Sequence, residues 1–294
     1  MKFGVCLPNY GTAASPESIS RIAVEAEAEG YESVWATDHI IVPREVADFY
    51  GYTIESLTTL AYASAVTRRV GLGTSILLVA LRNPVLLAKQ ITALDVLSRG
   101  RVILGVASGW CREEFEYLSA NYKQRGRIVD EAVRIMRGLW SDESDASAKL
   151  FHNSVFMPKP VQRGGPSIWV GGNSEAAVKR ATTLGDAWHP SGPSFEDLAK
   201  GIELLKKITK GTNRRVDVAP RYPIEVERGA PRIVHGPRGR TWTAIAGEPK
   251  EVTADLEKLT RLGVTMVVCA FHDETVESLS RQVKQFAREI APSF

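Results

Sequence analysis

KFGVCLPNYGTAASPESISRIAVEAEAEGYESVWATDH, residues 2–39, contains one complete folding unit and the opening of the next. KFGVCLP reads as a strand. Ser15 with Pro16 behind it reads as a helix cap and first helical position, and the apolar residues of ESISRIAVEAEAEG then recur at helical spacing until Gly30 ends the run. SVWAT follows as a second strand, apolar without alternation, as a parallel strand buried on both faces must be.

The same alternation returns along the chain. IESLTTLAYASAVT, PVLLAKQITALDVLS and IVDEAVRIMRGLW carry helical patterns, and VGLGTSILL and RVILGVA between them read as strands. In the second half SIWVGG pairs with SEAAVKRATTLG, DAWHP with FEDLAKGIELLKKIT, the less regular VDVAPRYPIEV with EPKEVTADLEKLTRLG, and VTMVVCAF with TVESLSRQVKQFAREI. Eight strand–helix units in 294 residues predict an α/β fold of one domain spanning 1–294, a (β/α)8 TIM barrel; a doubly wound sheet would produce the same local pattern. Two stretches, roughly 141–165 and 212–246, read as insertions at the C-terminal face.

Composition narrows the partners. With 37 Lys and Arg against 34 Asp and Glu, the net charge of +3 suits a small anionic ligand and is too weak for nucleic acid or a membrane surface. The longest apolar run, GLGTSILLVAL, stops at Arg82, short of the ~20 residues that cross a bilayer. MKFGVCLP is too short an apolar run for a signal peptide, so a cytoplasmic protein is expected. Cys6, Cys111 and Cys269 are odd in number and far apart, which offers neither a disulfide framework nor a metal knuckle, and no metal site is expected.

In either α/β architecture chemistry collects at the carboxyl ends of the strands. Asp38 and His39 stand at the end of the second strand, as a functional pair or as a cap beside a packed histidine. Thr74, Ser75 and Ile76 end the third, and ASGW, with Ser108 and Gly109, ends the fourth. The fifth ends in GGNSE: Gly171 and Gly172 let backbone approach a ligand, and Asn173 or Ser174 starts a helix whose free N–H groups suit a phosphate, although a tight turn with a capping serine looks the same. GLGTSI imitates a dinucleotide fingerprint but lacks its third glycine, and that match is set aside.

Taken together, VWATDHI, LGTSILL, RNPVLLAKQITALDVLSRGRVILGVASGWCREEF, PKPVQRGGPSIWVGGNSEAAVKRATTLGDAWHP and AGEPKEVTADLEKLTRLGVTMVV resemble the luciferase-like monooxygenase superfamily. The resemblance covers nearly the whole chain and is weakest over 212–240. It implies a (β/α)8 barrel holding FMN or its deazaflavin analogue, coenzyme F420, and the WxxDH form of the second strand end points to the F420-dependent branch. Residue by residue, it implies that Asp38 and His39 lie beside the ring, bonding it or moving a proton. Ser75 and Ile76 would form a strand bulge whose non-prolyl cis peptide backs the ring, with Thr74 beside them at the cofactor. Ser108 and Gly109 would lie near the ribityl chain or phosphate, with Gly171, Gly172, Asn173 and Ser174 as the phosphate cradle; Trp188 and His189 match the sixth strand end, as site or as packed core.

The chain also departs from the pattern. Sugar-phosphate dehydrogenases of the superfamily carry a catalytic glutamate where this chain has Trp110, so that reaction is not expected. Cys111 reads as a small buried side chain, and His152, His235 and His272 as structural or surface residues. The arginine-rich stretch 214–240 is either a solvated insertion or a lid meeting an acidic cofactor tail. The expected protein is therefore an oxidoreductase, a homodimer, moving a hydride between F420 and a small organic substrate, with His39 handling the proton and Asp38 orienting it. An FMN-dependent monooxygenase using O2 and a partner flavin reductase is one alternative; a non-catalytic flavin- or deazaflavin-binding protein is another.

Overall fold

A computed structural model describes residues 1–141, 151 and 153–294. Through the first half, in chain order, run β1 (Lys2–Cys6), α1 (Pro16–Ala28), β2 (Ser33–Ala36), α2 (Ala47–Tyr50), α3 (Ser56–Val66), β3 (Gly71–Thr74), β4 (Leu77–Leu78), α4 (Pro84–Ser98), β5 (Val102–Ala107), α5 (Arg112–Tyr117) and α6 (Arg125–Trp140). The second half holds β6 (Ser167–Gly171), α7 (Glu175–Leu184), β7 (Ala187–His189), α8 (Phe195–Thr209), β8 (Asp217–Val218), β9 (Arg221–Glu225), β10 (Ile233–His235), β11 (Thr241–Thr243), β12 (Ile245–Ala246), α9 (Pro249–Leu262), β13 (Met266–Phe271) and α10 (Val276–Glu289).

Local chemistry sets these boundaries. Ser15 Oγ accepts the Ser18 N–H at 3.0 Å and Pro16 occupies the first turn of α1, which then buries Ile19, Ile22, Ala23 and Ala26 on one face. Gly30, at a φ of +85°, turns the chain into β2.

Ten strands follow one another as β12-β9-β13-β1-β2-β3-β5-β6-β7-β8, every pairing among them parallel, with β4 joined to β5 off this path. The sheet curls until its flanks meet. Along 218–221 one side bonds β7 and its extension, Ala219 N–H to the Trp188 carbonyl at 2.9 Å and Arg221 N–H to that of Pro190 at 2.8 Å. The Val218 and Pro220 carbonyls accept from Thr265 and Val268 on the other side, at 3.1 and 2.9 Å. A large apolar layer fills the space between sheet and helices, and a second, smaller cluster of Cys6, Trp35, Ala219, Met266, Val268 and Ala270 fills the inside of the curl. Trp35 explains the second glycine of GLGT: a Cβ on Gly73 would stand 2.2 Å from its ring.

Of the expected insertion 212–246, residues 217–225 belong to the sheet as β8 and β9; what leaves the sheet is the run 226–244, which carries the antiparallel hairpin β10–β11. His152 and the middle of the expected insertion 141–165 lie outside the described residues. Among the described residues no helix is long and apolar enough to cross a membrane.

Candidate active site

A cavity of ≈ 510 Å³ opens at the carboxyl ends of β2, β3, β5, β6 and β7. Asp38, His39, Ser75, Ile76, Ser108, Gly109, Gly171, Gly172, Asn173 and Ser174 all line it. Thr74, expected at the cofactor, does not: its hydroxyl is fully buried and donates to the Gly105 carbonyl at 2.8 Å, tying β3 to β5 behind the cavity wall.

Asp38 and His39 part company at the end of β2. Asp38 is buried, and its carboxylate takes a bidentate pair from Arg82 at 2.7 and 2.9 Å, the Ser56 hydroxyl at 2.9 Å and the Leu78 N–H at 2.9 Å. It does not orient His39, contrary to the reading from sequence. That position belongs to Glu114, whose Oε2 lies 3.0 Å from His39 Nδ1 and whose Oε1 accepts the Ile40 N–H at 2.6 Å. A carboxylate at Nδ1 keeps the proton on that nitrogen and leaves Nε2 to the cavity. Tyr50 packs on the imidazole with ring centres 4.3 Å apart, and Trp110 meets it edge-on at 5.8 Å. Helical phase is the signal that finds Glu114: Cys111, Glu114 and Phe115 share the inner side of α5 and are buried. Burial pushes the Cys111 thiol up, which keeps it protonated and unreactive.

The floor of the cavity is a second histidine. The Ser75–Ile76 peptide is cis, Ser75 Oγ lies 2.9 Å from His189 Nε2, and His189 Nδ1 bonds the Ala219 carbonyl. A carbonyl only accepts, so Nδ1 carries the proton and Ser75 donates to Nε2. The ring stacks on Trp35 at 5.3 Å. Trp188, its neighbour, is core: it packs beneath α8 and donates to the Gly172 carbonyl at 2.9 Å. Burial lowers His189 from 6.5 to about 4, so between those values the unfolded chain binds a proton that the folded chain refuses. The stability from a neutral His189 is complete above pH 6.5 and is lost toward pH 4, by ~1.4 kcal/mol per unit. Urea unfolding across this range should show that slope in the native protein and a flatter one in His189→Gln.

The GGNS turn meets two arginines that sequence reasoning missed. Ser174 caps α7, its Oγ accepting from Ala177 N–H at 3.3 Å, and the Asn173 amide exchanges two 2.9 Å bonds with the Ser191 backbone. Arg125 and Arg180 line the same end of the cavity. Arg180 is held by Asp130 and the Gly126 carbonyl, whereas Arg125 lies over the Tyr122 ring with its Nε buried and unpartnered. Helix-start N–H groups and two guanidinium ions make an anion site of the kind a phosphate group fills. The spacing Ser174, Ala177, Arg180 on one helical face carries this signal in the sequence.

Gly172 has a φ of +117°, a conformation side chains rarely adopt, and a Cβ there would stand 3.1 Å from that of Ala177. If this turn cradles the phosphate of a bound flavin or deazaflavin, Gly172→Val should weaken that binding by about tenfold or more, measured by fluorescence titration of a variant whose circular dichroism is native. Unchanged affinity would move the phosphate elsewhere.

The arginine-rich stretch resolves into separate roles. Arg221 and Arg240 line the cavity, Arg240 lying 4.8 Å from the Trp110 ring. Arg238 ties the β10–β11 hairpin to Glu45 and Glu113, while Arg228 and Arg232 pair with Glu248 and Asp255 outside the cavity. Among the described residues no group of His, Cys, Asp and Glu is placed to hold a metal ion.

Residues 1–235 match the model of the luciferase-like monooxygenase family. An uncharacterised protein of Mycobacterium tuberculosis is 28% identical over 99% of both chains. An F420-dependent glucose-6-phosphate dehydrogenase of Kineococcus radiotolerans is 26% identical over 95% of this chain and 93% of its own. The crystal structure of monooxygenase RslO1 from Streptomyces bottropensis superposes with a TM-score of 0.82 at 22% identity, over 100% of this chain and 99% of that one. The chain belongs to the luciferase-like monooxygenase family and is an oxidoreductase working with a flavin or deazaflavin.

Proposed function

We propose that the protein is a deazaflavin-dependent oxidoreductase that binds coenzyme F420 in the ≈ 510 Å³ cavity and acts on a small organic molecule. The observation that carries this reading is convergence: an anion site, a backbone platform and a histidine with one nitrogen free surround one cavity of ligand size. In this reading the curled sheet is a closed barrel of eight strand positions, with β3–β4 and β8–β9 each filling one and β12 added beside β9.

The residues fit the cofactor. Gly171, Gly172, Asn173 and Ser174, with Arg125 and Arg180, would hold the phosphate: a Cβ would fill the cradle at Gly172, and Arg125 Nε lacks a partner there. Ser75 and Ile76 would support the ring, Ile76 being seated on Gly171, where any Cβ would come within 2.1 Å of its Cδ1. Bound F420 would supply the hydride chemistry. His39 Nε2 would take or give the proton that accompanies it, while Glu114 holds the ring in place through Nδ1. Trp110, Tyr50 and, from β11, Trp242 line the same cavity.

F420 is favoured over FMN by the WATDHI strand end and by relatives named F420-dependent dehydrogenases. Glucose 6-phosphate is not the substrate expected, since Trp110 stands where that reaction's acid is carried; the carboxylate of this site comes one helical turn later, from Glu114, and is spent on His39. Titration of the purified protein with F420 and with FMN, followed by absorbance and fluorescence, should show micromolar or tighter binding of F420 and weaker binding of FMN. The reverse order would make the protein an FMN-dependent monooxygenase with a partner reductase.

A further inference from the structure

Beside the first cavity lies a second of ≈ 440 Å³, and Tyr50, Ser191, Arg221 and Trp242 line both. Its inner walls are apolar: Pro223 and Ala270 are buried there, with Phe49, Val234 and the Tyr10 and Trp242 rings around them. Arg221 brings a permanent positive charge into this apolar space. Its donors reach only neutral atoms, the Ser75 carbonyl at 2.9 Å, Thr37 Oγ1 at 3.1 Å and the Tyr10 hydroxyl at 2.9 Å, and among the described residues no carboxylate pairs with it. A guanidinium half-buried among rings without a counter-ion is costly unless a ligand supplies the negative charge.

Tyr10 adds a second donor. It accepts from Arg221 Nη2, and burial pushes its phenol up to about 12, so the hydroxyl keeps its own proton, for which no acceptor occurs among the described residues. Charge and hydroxyl point to one anionic oxygen at the junction of the two cavities. The outer rim carries the opposite sign, with Asp48 and Glu274 exposed and Asp273 half-buried, which repels a ligand with further negative groups at its outer end.

We propose that this second cavity is the substrate chamber and takes an apolar, ring-sized organic monoanion whose carboxylate or enolate oxygen is received by Arg221 and Tyr10. The proposal rests on the reading of the first cavity as the cofactor's.

Calorimetric titration of the whole protein with cinnamate, its neutral isostere cinnamamide and the dianion terephthalate tests it, with and without F420. Cinnamate should bind about tenfold or more tightly than cinnamamide and than terephthalate. Arg221→Gln should abolish the preference over the amide; because Arg221 also bonds the Ser75 carbonyl behind the cofactor cavity, F420 affinity is measured separately and should fall by less than cinnamate affinity. Tyr10→Phe, which keeps the ring, should reduce the preference several-fold and decides the matter if Arg221→Gln does not fold. Equal binding of acid and amide, no uptake of cinnamate at millimolar concentration, terephthalate binding as tightly as cinnamate, or a preference that survives both substitutions would overturn the proposal. So would an Arg221→Gln loss as large for F420 as for cinnamate, which would assign the charge to the cofactor. Failure of F420 to bind a protein that still selects cinnamate would refute the cofactor reading and leave the anion site standing.

Discussion

His39→Ala is expected to lower turnover by about 10²- to 10⁴-fold while changing F420 affinity only a few-fold, because positioned acid–base assistance contributes on that scale and one ring contact contributes less. The expectation depends on Nε2 facing the cavity free of a protein partner, and Glu114, by holding Nδ1, is what leaves it so. The carboxylate at 3.0 Å from Nδ1 fixes the tautomer and the orientation of the ring. Glu114→Gln should therefore act through His39: turnover falls by less, about tenfold, and the loss disappears when His39→Ala is already present, a non-additivity that a merely structural role would not produce. Steady-state kinetics of the single and double variants, with F420 binding measured in parallel, separates the two effects. If His39→Ala abolishes F420 binding altogether, the imidazole is a ring ligand and the proton handler lies elsewhere.

Asp38→Asn is expected to damage the fold more than the chemistry. Asp38 meets Arg82 through two bonds in a nearly closed pocket, Arg82's remaining carboxylate partner being Glu55 at 3.1 Å. Removing one member of a buried pair strands the other charge, a loss of about 3 to 5 kcal/mol, with Glu55 holding the result toward the lower end. Asp38 also receives the Leu78 N–H where β3 gives way to β4, so the backbone behind Ser75 and Ile76 loses an anchor. Thermal unfolding should show a Tm several degrees lower, and Asp38→Asn combined with Arg82→Met should recover part of it, since no unpaired cation then remains. An unchanged Tm with a large loss of turnover would return Asp38 to the chemistry.

The two cases show where sequence reasoning ran short. A charged pair at a strand end suggested two partners in one task, and adjacency in the chain was mistaken for adjacency in space. In extended backbone successive side chains point to opposite sides, so Asp38 and His39 diverge as the strand ends. Asp38 finds its partner 44 residues on and His39 finds Glu114 75 residues on. Thr74 failed for a related reason: at the end of a strand buried on both faces, a hydroxyl can satisfy a neighbouring strand's carbonyl as readily as a ligand.

Sequence by itself determined the order of strands and helices, the strand ends at which polar and glycine residues accumulate, the glycine turn opening α7, and the family resemblance that comparison then established. These are local properties, set by periodicity, capping and backbone freedom, and each is legible within a short window. Only the tertiary structure decided the electrostatics of the site. Ser75 meets His189 across 114 residues and Arg221 reaches the Ser75 carbonyl across 146, while Arg125 and Arg180 arrive at the glycine turn from two different helices. No window of sequence contains such pairs, because curling the sheet is what brings the strand ends to one rim, and there each buried charge must take its partner from whatever the closure places beside it.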